Sequence, residues 1–263
     1  MNKHNKQNYI DAIQSVYPES WFIRQPEITG SVGTVYLAET PEGTIVCKFN
    51  NKKQITRNQL ISQLLQTHNL PLPQTQEHIF SDLFFESYKY DPGKTLYEHM
   101  QNDMTPAQIF DAYKQSMVIQ SKISCIDPRT ADTNWKEYAY ETFAHRKTIE
   151  NIHVNFAIFD KIYKFLSRHS NLKLLHNDIQ PKNIILDDDL KLSSIIDLDT
   201  VALCNENFSV LRALRNYPLN NYSEYMDCYE DTVKRKLNRN AIMRGLNMVQ
   251  QLRNIRHTVQ KKR

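Results

Sequence analysis

One segment, Leu174-Leu175-His176-Asn177-Asp178-Ile179-Gln180-Pro181-Lys182-Asn183-Ile184-Ile185-Leu186, constrains this chain more than any other. Apolar runs flank a polar loop that contains a proline, so the segment reads as strand, loop, strand. An acidic turn follows, then Leu192 to Ile196, and the run closes on Ile195-Ile196-Asp197-Leu198-Asp199. Residues 173–199 are therefore expected to form a strand pair presenting a polar loop. An amide oxygen from Asn183 and a carboxylate from Asp197, each at a strand end, can hold Mg²⁺, a hard cation that takes oxygen ligands and keeps waters while bridging phosphates. Asp178, five residues before Asn183, can orient and deprotonate a hydroxyl as it attacks a phosphoryl group. The same residue types are also ordinary turn and capping residues, and HxDxxxxN arises by chance in about one chain in twenty of this composition.

The N-terminal region adds independent signals. The chain has only five glycines in 263 residues, where about 7 % is usual, so each is expected where a side chain does not fit. Three of them, Gly30, Gly33 and Gly43, are close together. Segments 22–28, 34–39 and 44–49 read as strands, the last two joined by the Pro41-Glu42-Gly43 turn. Residues 54–68 read as a helix with Ile55, Leu60, Ile61, Leu64 and Leu65 on one face, stopped by Leu70-Pro71-Leu72-Pro73. Segments 76–80 and 83–90 complete a sheet before the Asp91-Pro92-Gly93 break. From Thr95 to Ser170 the pattern is helical, with segments near 105–123, 134–150 and 155–169, the first opened by Thr105-Pro106. A loop with glycines three apart, Gly30-Ser31-Val32-Gly33, lets backbone N–H groups approach phosphates, and Lys48 in the third strand offers a positive charge to them. A plain hairpin turn and a surface lysine are the simpler reading of those two features.

In this order, the glycine loop, strand lysine, Pro-Gly hinge, HxDxxxxN and IIDxD resemble the aminoglycoside phosphotransferase and choline kinase superfamily over about residues 20–205. The resemblance implies an α+β, bilobal, protein-kinase-like fold: a small antiparallel β lobe with one helix (1–92, nucleotide-binding) and a larger, mainly α lobe (93–263, catalytic and substrate-binding). It implies ATP and Mg²⁺ as cofactors, Asp178 as catalytic base, and Asn183 and Asp197 as metal ligands. Gly30, Ser31, Gly33, Val46, Lys48, Tyr88, Tyr90 and Asp91 would bind ATP. His176 would support the loop, and Asp199 would be a second metal or a substrate contact. The implied activity is transfer of the γ-phosphate to a hydroxyl of an aminoglycoside-, choline- or sugar-like acceptor. Two departures keep a second reading open, a catalytically weak pseudokinase-like binding module: Ile28 replaces the first glycine of the loop, and the helix offers Asn58 and Gln59 where the family has a glutamate for the lysine.

Charge decides among partners. The net charge of +4 conceals ten Lys and Arg and no acid in residues 232–263. There, Ile242, Leu246, Val249, Leu252, Ile255 and Val259 recur at helical spacing, so a packed helix with a basic solvated face is expected in preference to a nucleic-acid arm. No stacking-aromatic pattern accompanies the basic block. The body is mildly acidic, which suits a cationic acceptor, with Asp199, Glu224, Asp227 and Glu230 as rim candidates. Four scattered cysteines without a CxxC pair, no apolar leader and no run of eighteen apolar residues point to a cytoplasmic chain without membrane partners. The lack of an Ala-Pro-Glu after Asp197 argues against a protein kinase. Acceptor identity and oligomeric state are not legible.

Overall fold

The computed structural model describes residues 5–26, 34–102, 104–127 and 173–247. The chain divides into two units, residues 1–92 and 93–263.

In the first unit, α1 (Lys6–Val16) precedes β1 (Phe22–Arg24), β2 (Thr34–Thr40) and β3 (Gly43–Asn50). Then come α2 (Lys52–Gln66), β4 (Gln76–Phe80) and β5 (Leu83–Lys89). The strands form one antiparallel sheet in the order β1-β2-β3-β5-β4. Gly43 closes the β2–β3 turn at φ +115°, a conformation that a side chain disfavours. Ala12 and Ile13 of α1 pack with Tyr36, Cys47, Phe49 and Phe85 on one face, and the Phe49 and Phe85 rings stack at 4.8 Å.

Helix α1 makes two helices among the described residues of this unit, where one was expected. Its sequence is polar apart from a few positions, so periodicity is weak. The Asn5 and Asn8 side chains cap it reciprocally, and Ala12 and Ile13 give it a buried face. Helix α2 also differs from its expectation. It buries Ile55, Arg57, Asn58, Ile61, Ser62 and Leu65, and Leu60 stays 37 % exposed. The packed face is rotated because α2 meets strand residues that are themselves polar: Thr56 Oγ1 donates to Glu77 (2.8 Å), and Asn58 Nδ2 to Glu86 (3.0 Å).

In the second unit, β6 (Lys94–Thr95) leads into α3 (Leu96–Met100) and α4 (Pro106–Ser124), the latter capped by Thr105 with Pro106 in its first turn. Strands β7 (Lys173–His176), β8 (Ile184–Leu186), β9 (Leu192–Ile195) and β10 (Val201–Cys204) precede α5 (Glu206–Asn216) and α6 (Tyr222–Val233). The expected strand pair becomes two small sheets, because β7 pairs with β10 whereas β8 pairs with β9 and β6. A 3-10 turn at Pro181–Asn183 separates β7 from β8, so the polar loop links two sheets instead of closing a hairpin.

Residues 239–247 are helical, with Ala241, Ile242 and Leu246 buried; the rest of the basic stripe, and the expected helices at 134–150 and 155–169, lie outside the described residues. No described helix is long and apolar enough to cross a membrane. All four cysteines are free; Cys47 and Cys204 are buried, which pushes both thiols up to about 12, whereas Cys125 is exposed.

Candidate active site

The loop after β7 is held by side chains that answer its backbone. Gln120 of α4 is buried and uses both ends of its amide: Oε1 accepts from His176 N (3.0 Å), and Nε2 donates to His176 O (3.2 Å) and to Ser209 Oγ of α5 (2.9 Å). Gln115, one turn earlier, accepts from Leu192 N at the start of β9 (2.7 Å) and donates to Leu190 O (3.2 Å). The His176 side chain is wholly buried. Its Nε2 lies 3.0 Å from Ile196 O, and its Nδ1 accepts from Asp178 N at 3.3 Å. Burial pushes the imidazole below its ordinary value, so it stays neutral, as an Nε2–H donor with a free Nδ1 lone pair requires. Asn177 donates to Leu175 O and Thr200 O, tying the end of β7 to the turn beyond Asp197.

Within that frame Asp178 is gripped through both carboxylate oxygens. Arg212 Nη2 of α5 reaches Oδ1 at 3.2 Å, and Oδ2 accepts from Gln180 Nε2 (2.7 Å) and Asn183 Nδ2 (3.1 Å). The ion pair is shielded, the Arg212 and Asp178 side chains being 12 % and 16 % exposed. The Asn183 side chain also donates to Asp178 O (2.9 Å), and the Asn183 backbone carbonyl accepts from Ile196 N (2.9 Å), which joins the loop to the end of β9 next to Asp197. Asp197 adopts the left-handed conformation, φ 71° and ψ 65°. Among non-glycine residues Asp and Asn bear this best, and such strain gathers at functional sites.

The Asn183 amide spends its N–H₂ group on Asp178, leaving the oxygen end, so Asn183 and Asp197 offer hard oxygen donors of the kind Mg²⁺ takes. No cluster of three or more His, Cys, Asp or Glu able to hold a metal occurs among the described residues. Asp199 lies in the 3-10 turn Leu198–Thr200 just beyond. Lys182 is exposed, with its ammonium 5.2 Å from the centroid of the Tyr97 ring.

In the first unit, Val46 and Lys48 lie on β3, opposite Tyr88 and Glu86 of β5. Tyr90 and Asp91 follow β5, and Tyr90 N donates to Thr44 O (2.9 Å). Gly30, Ser31 and Gly33 lie outside the described residues. Gln59 Oε1 accepts from Glu77 N at the sheet edge (3.1 Å). Arg212, Gln120 and Glu86 were not anticipated. No motif marks them; only the strand reading of 83–90, counted against 44–49, could have set Glu86 opposite Lys48.

Two of the rim candidates are paired with the basic segment. Glu230 is buried beneath Arg239 (2.8 and 3.1 Å) and Lys236 (2.8 Å), and Asp227 pairs with Arg239 at 2.6 Å. Arg239, then Lys236, holds the Glu230 carboxyl down to about 2. These acids neutralise the start of the basic tail, and with Asn207, Lys236 and Arg239 they line an open pocket there.

Comparison with known proteins identifies the fold and the family. The fold is similar to that of an aminoglycoside-3'-phosphotransferase of type VIII (TM-score 0.65, 13 % identity, 92 % of this chain and 98 % of that one). It is also similar to the choline kinase LicA of Streptococcus pneumoniae (0.61, 17 %, 94 % and 91 %). A third similar structure is a streptomycin-ATP-APH(2")-IIa ternary complex (0.60, 13 %, 93 % and 89 %). No curated protein matches the chain in sequence. The model of the phosphotransferase enzyme family, APH, matches residues 27–203, two thirds of the chain and all of the HxDxxxxN and IIDxD region. The chain belongs to the phosphotransferase enzyme family, with the α+β, protein-kinase-like fold of its structural relatives.

Proposed function

We propose that this phosphotransferase uses ATP and Mg²⁺ to phosphorylate a hydroxyl of a small aminoglycoside-, choline- or sugar-like acceptor. The observation that carries this reading is Asp178, fixed through both carboxylate oxygens in a loop that also presents Asn183. Phosphoryl transfer demands chiefly positioning and charge neutralisation, which a fixed carboxylate and two oxygen ligands supply. Asp178 orients the acceptor hydroxyl and takes its proton. Asn183 and Asp197 hold magnesium, which neutralises phosphate charge when bound. His176 stays neutral and braces the loop. Lys48 meets the nucleotide phosphates, Gly30, Ser31 and Gly33 cover them, and Val46, Tyr88, Tyr90 and Asp91 line the adenine position. The first unit thus serves as the nucleotide-binding lobe and the second as the catalytic and substrate lobe. Of the rim candidates, Asp199 and Glu224 are retained. A streptomycin-ATP complex among the similar structures supports ATP as donor, and the choline kinase supports an amino-alcohol as one acceptor class.

The test is a thermal-shift screen with Mg-ATP, then with amino-alcohols, aminoglycosides and sugars, followed by a transfer assay on each hit. Asp178→Ala is expected to abolish transfer while Mg-ATP still raises the melting temperature. Transfer retained by Asp178→Ala removes it as base. Nucleotide binding without transfer to any acceptor favours the pseudokinase-like module, the reading motivated by Ile28, Asn58 and Gln59.

A further inference from the structure

We propose that Glu86 on β5 is the carboxylate that positions Lys48, taking over the task that the helix does not perform, with Asn58 as its anchor. This rests on the ATP-dependent reading above. Helix α2, Lys52–Gln66, contains no acidic residue, so it has no carboxylate for the lysine. Glu86 lies directly opposite Lys48 in the antiparallel β3–β5 ladder. Opposed residues share a face, with Cβ atoms about 4.5–5.5 Å apart, well within reach of a lysine and a glutamate. Both are buried, Lys48 at 8 % and Glu86 at 3 % exposure, and Glu86 is the one buried acid among the described residues of its unit. A buried ammonium needs an opposite charge close by, and the ladder offers this one.

Asn58, wholly buried, donates to Glu86 Oε1 at 3.0 Å, and its own Oδ1 accepts from Gln54 Nε2 at 2.9 Å. The residue at the helix position expected to carry the acid thus holds the acid supplied by the strand. A consequence follows for control. Lysine and carboxylate belong to neighbouring strands of one sheet, so the pair is assembled whenever the sheet is, and no movement of α2 is needed to form it.

Arg57, also buried, is the rival partner for Glu86, and the experiment separates the two. The full chain is titrated with Mg-ATP by calorimetry, and its slow ATP hydrolysis is followed with water as acceptor. Glu86→Gln, which keeps the Asn58 bond, is expected to weaken Mg-ATP binding or slow hydrolysis by about 10-fold or more, the size of one charged hydrogen bond. Glu86→Asp is expected to fall in between, and Glu86→Gln combined with Asn58→Glu to recover most of the loss, because the carboxylate returns to the helix. Glu86→Gln that lowers the melting temperature but leaves both readouts at the wild-type level overturns the proposal and assigns Glu86 to Arg57. A double variant no better than Glu86→Gln also overturns it. A wild-type chain that binds no Mg-ATP overturns the ATP reading itself, and this proposal with it.

Discussion

The two units place their polar residues by different means. In the first, the β3–β5 register alone sets Lys48 against Glu86, and an aromatic cluster of Tyr36, Phe49 and Phe85 on the opposite face stiffens the sheet. In the second, the described strands are only two to four residues long. The loop between them is held by side-chain amides, Gln115, Gln120, Asn177 and Asn183, answering backbone groups one by one. A long ladder carries position through many equivalent bonds, so its weak point is the apolar packing against its face. A short-stranded region has no such redundancy, and each amide is a separate point of failure.

That contrast can be broken in order of effect. Phe85→Ala empties the centre of the aromatic cluster and is expected to cost about 3–5 kcal/mol in urea unfolding, as for other buried phenylalanines. Arg212→Met leaves Asp178 without its cation and is expected to cost about 3–5 kcal/mol, most of it recovered when Asp178→Asn is added. Failure of that recovery would mean that Arg212 stabilises through packing and not through the carboxylate. Gln120→Leu, close in volume but without donors or acceptors, leaves His176 N and O and Ser209 Oγ unanswered, an expected loss of about 1–3 kcal/mol. If it costs no more than a surface change, the amide-by-amide account of the second unit is wrong.

A further prediction concerns pH. The Glu230 carboxyl lies near 2 in the folded chain, below its ordinary 4.5. Its contribution is therefore complete above about 4.5 and lost as pH falls toward 2, because the unfolded chain takes up the proton first. Glu230→Gln should flatten the acid side of a stability curve between those values and leave the neutral plateau level in slope.

Much of this was legible because it is local. The β2–β5 strands follow from β-branched and aromatic runs and from Gly43, and the HxDxxxxN and IIDxD segments mark the family by their spacing. What was not legible depends on pairing across the chain. That β7 takes β10 and not β8 as partner is a tertiary choice, made when Pro181 turns the loop away from a hairpin. Periodicity put Leu60 inside and said nothing of Arg57 and Asn58, because the sheet face met by α2 is polar, against the ordinary rule for a buried helix stripe. Arg212 and Gln120 stand 34 and 56 residues from their partners Asp178 and His176, and nothing in the sequence near either names the other.

The grip of Arg212 on Asp178 sets a limit on portability. The family match ends at residue 203 and contains every motif by which the chain is assigned, yet the guanidinium that meets Asp178 stands on α5, beyond that boundary. A fragment or graft bounded by the motifs would carry Asp178 without its counter-charge. Anyone moving this loop into another scaffold, or tracing its ancestry by motif alone, has to take the helix that follows as part of the same inheritance.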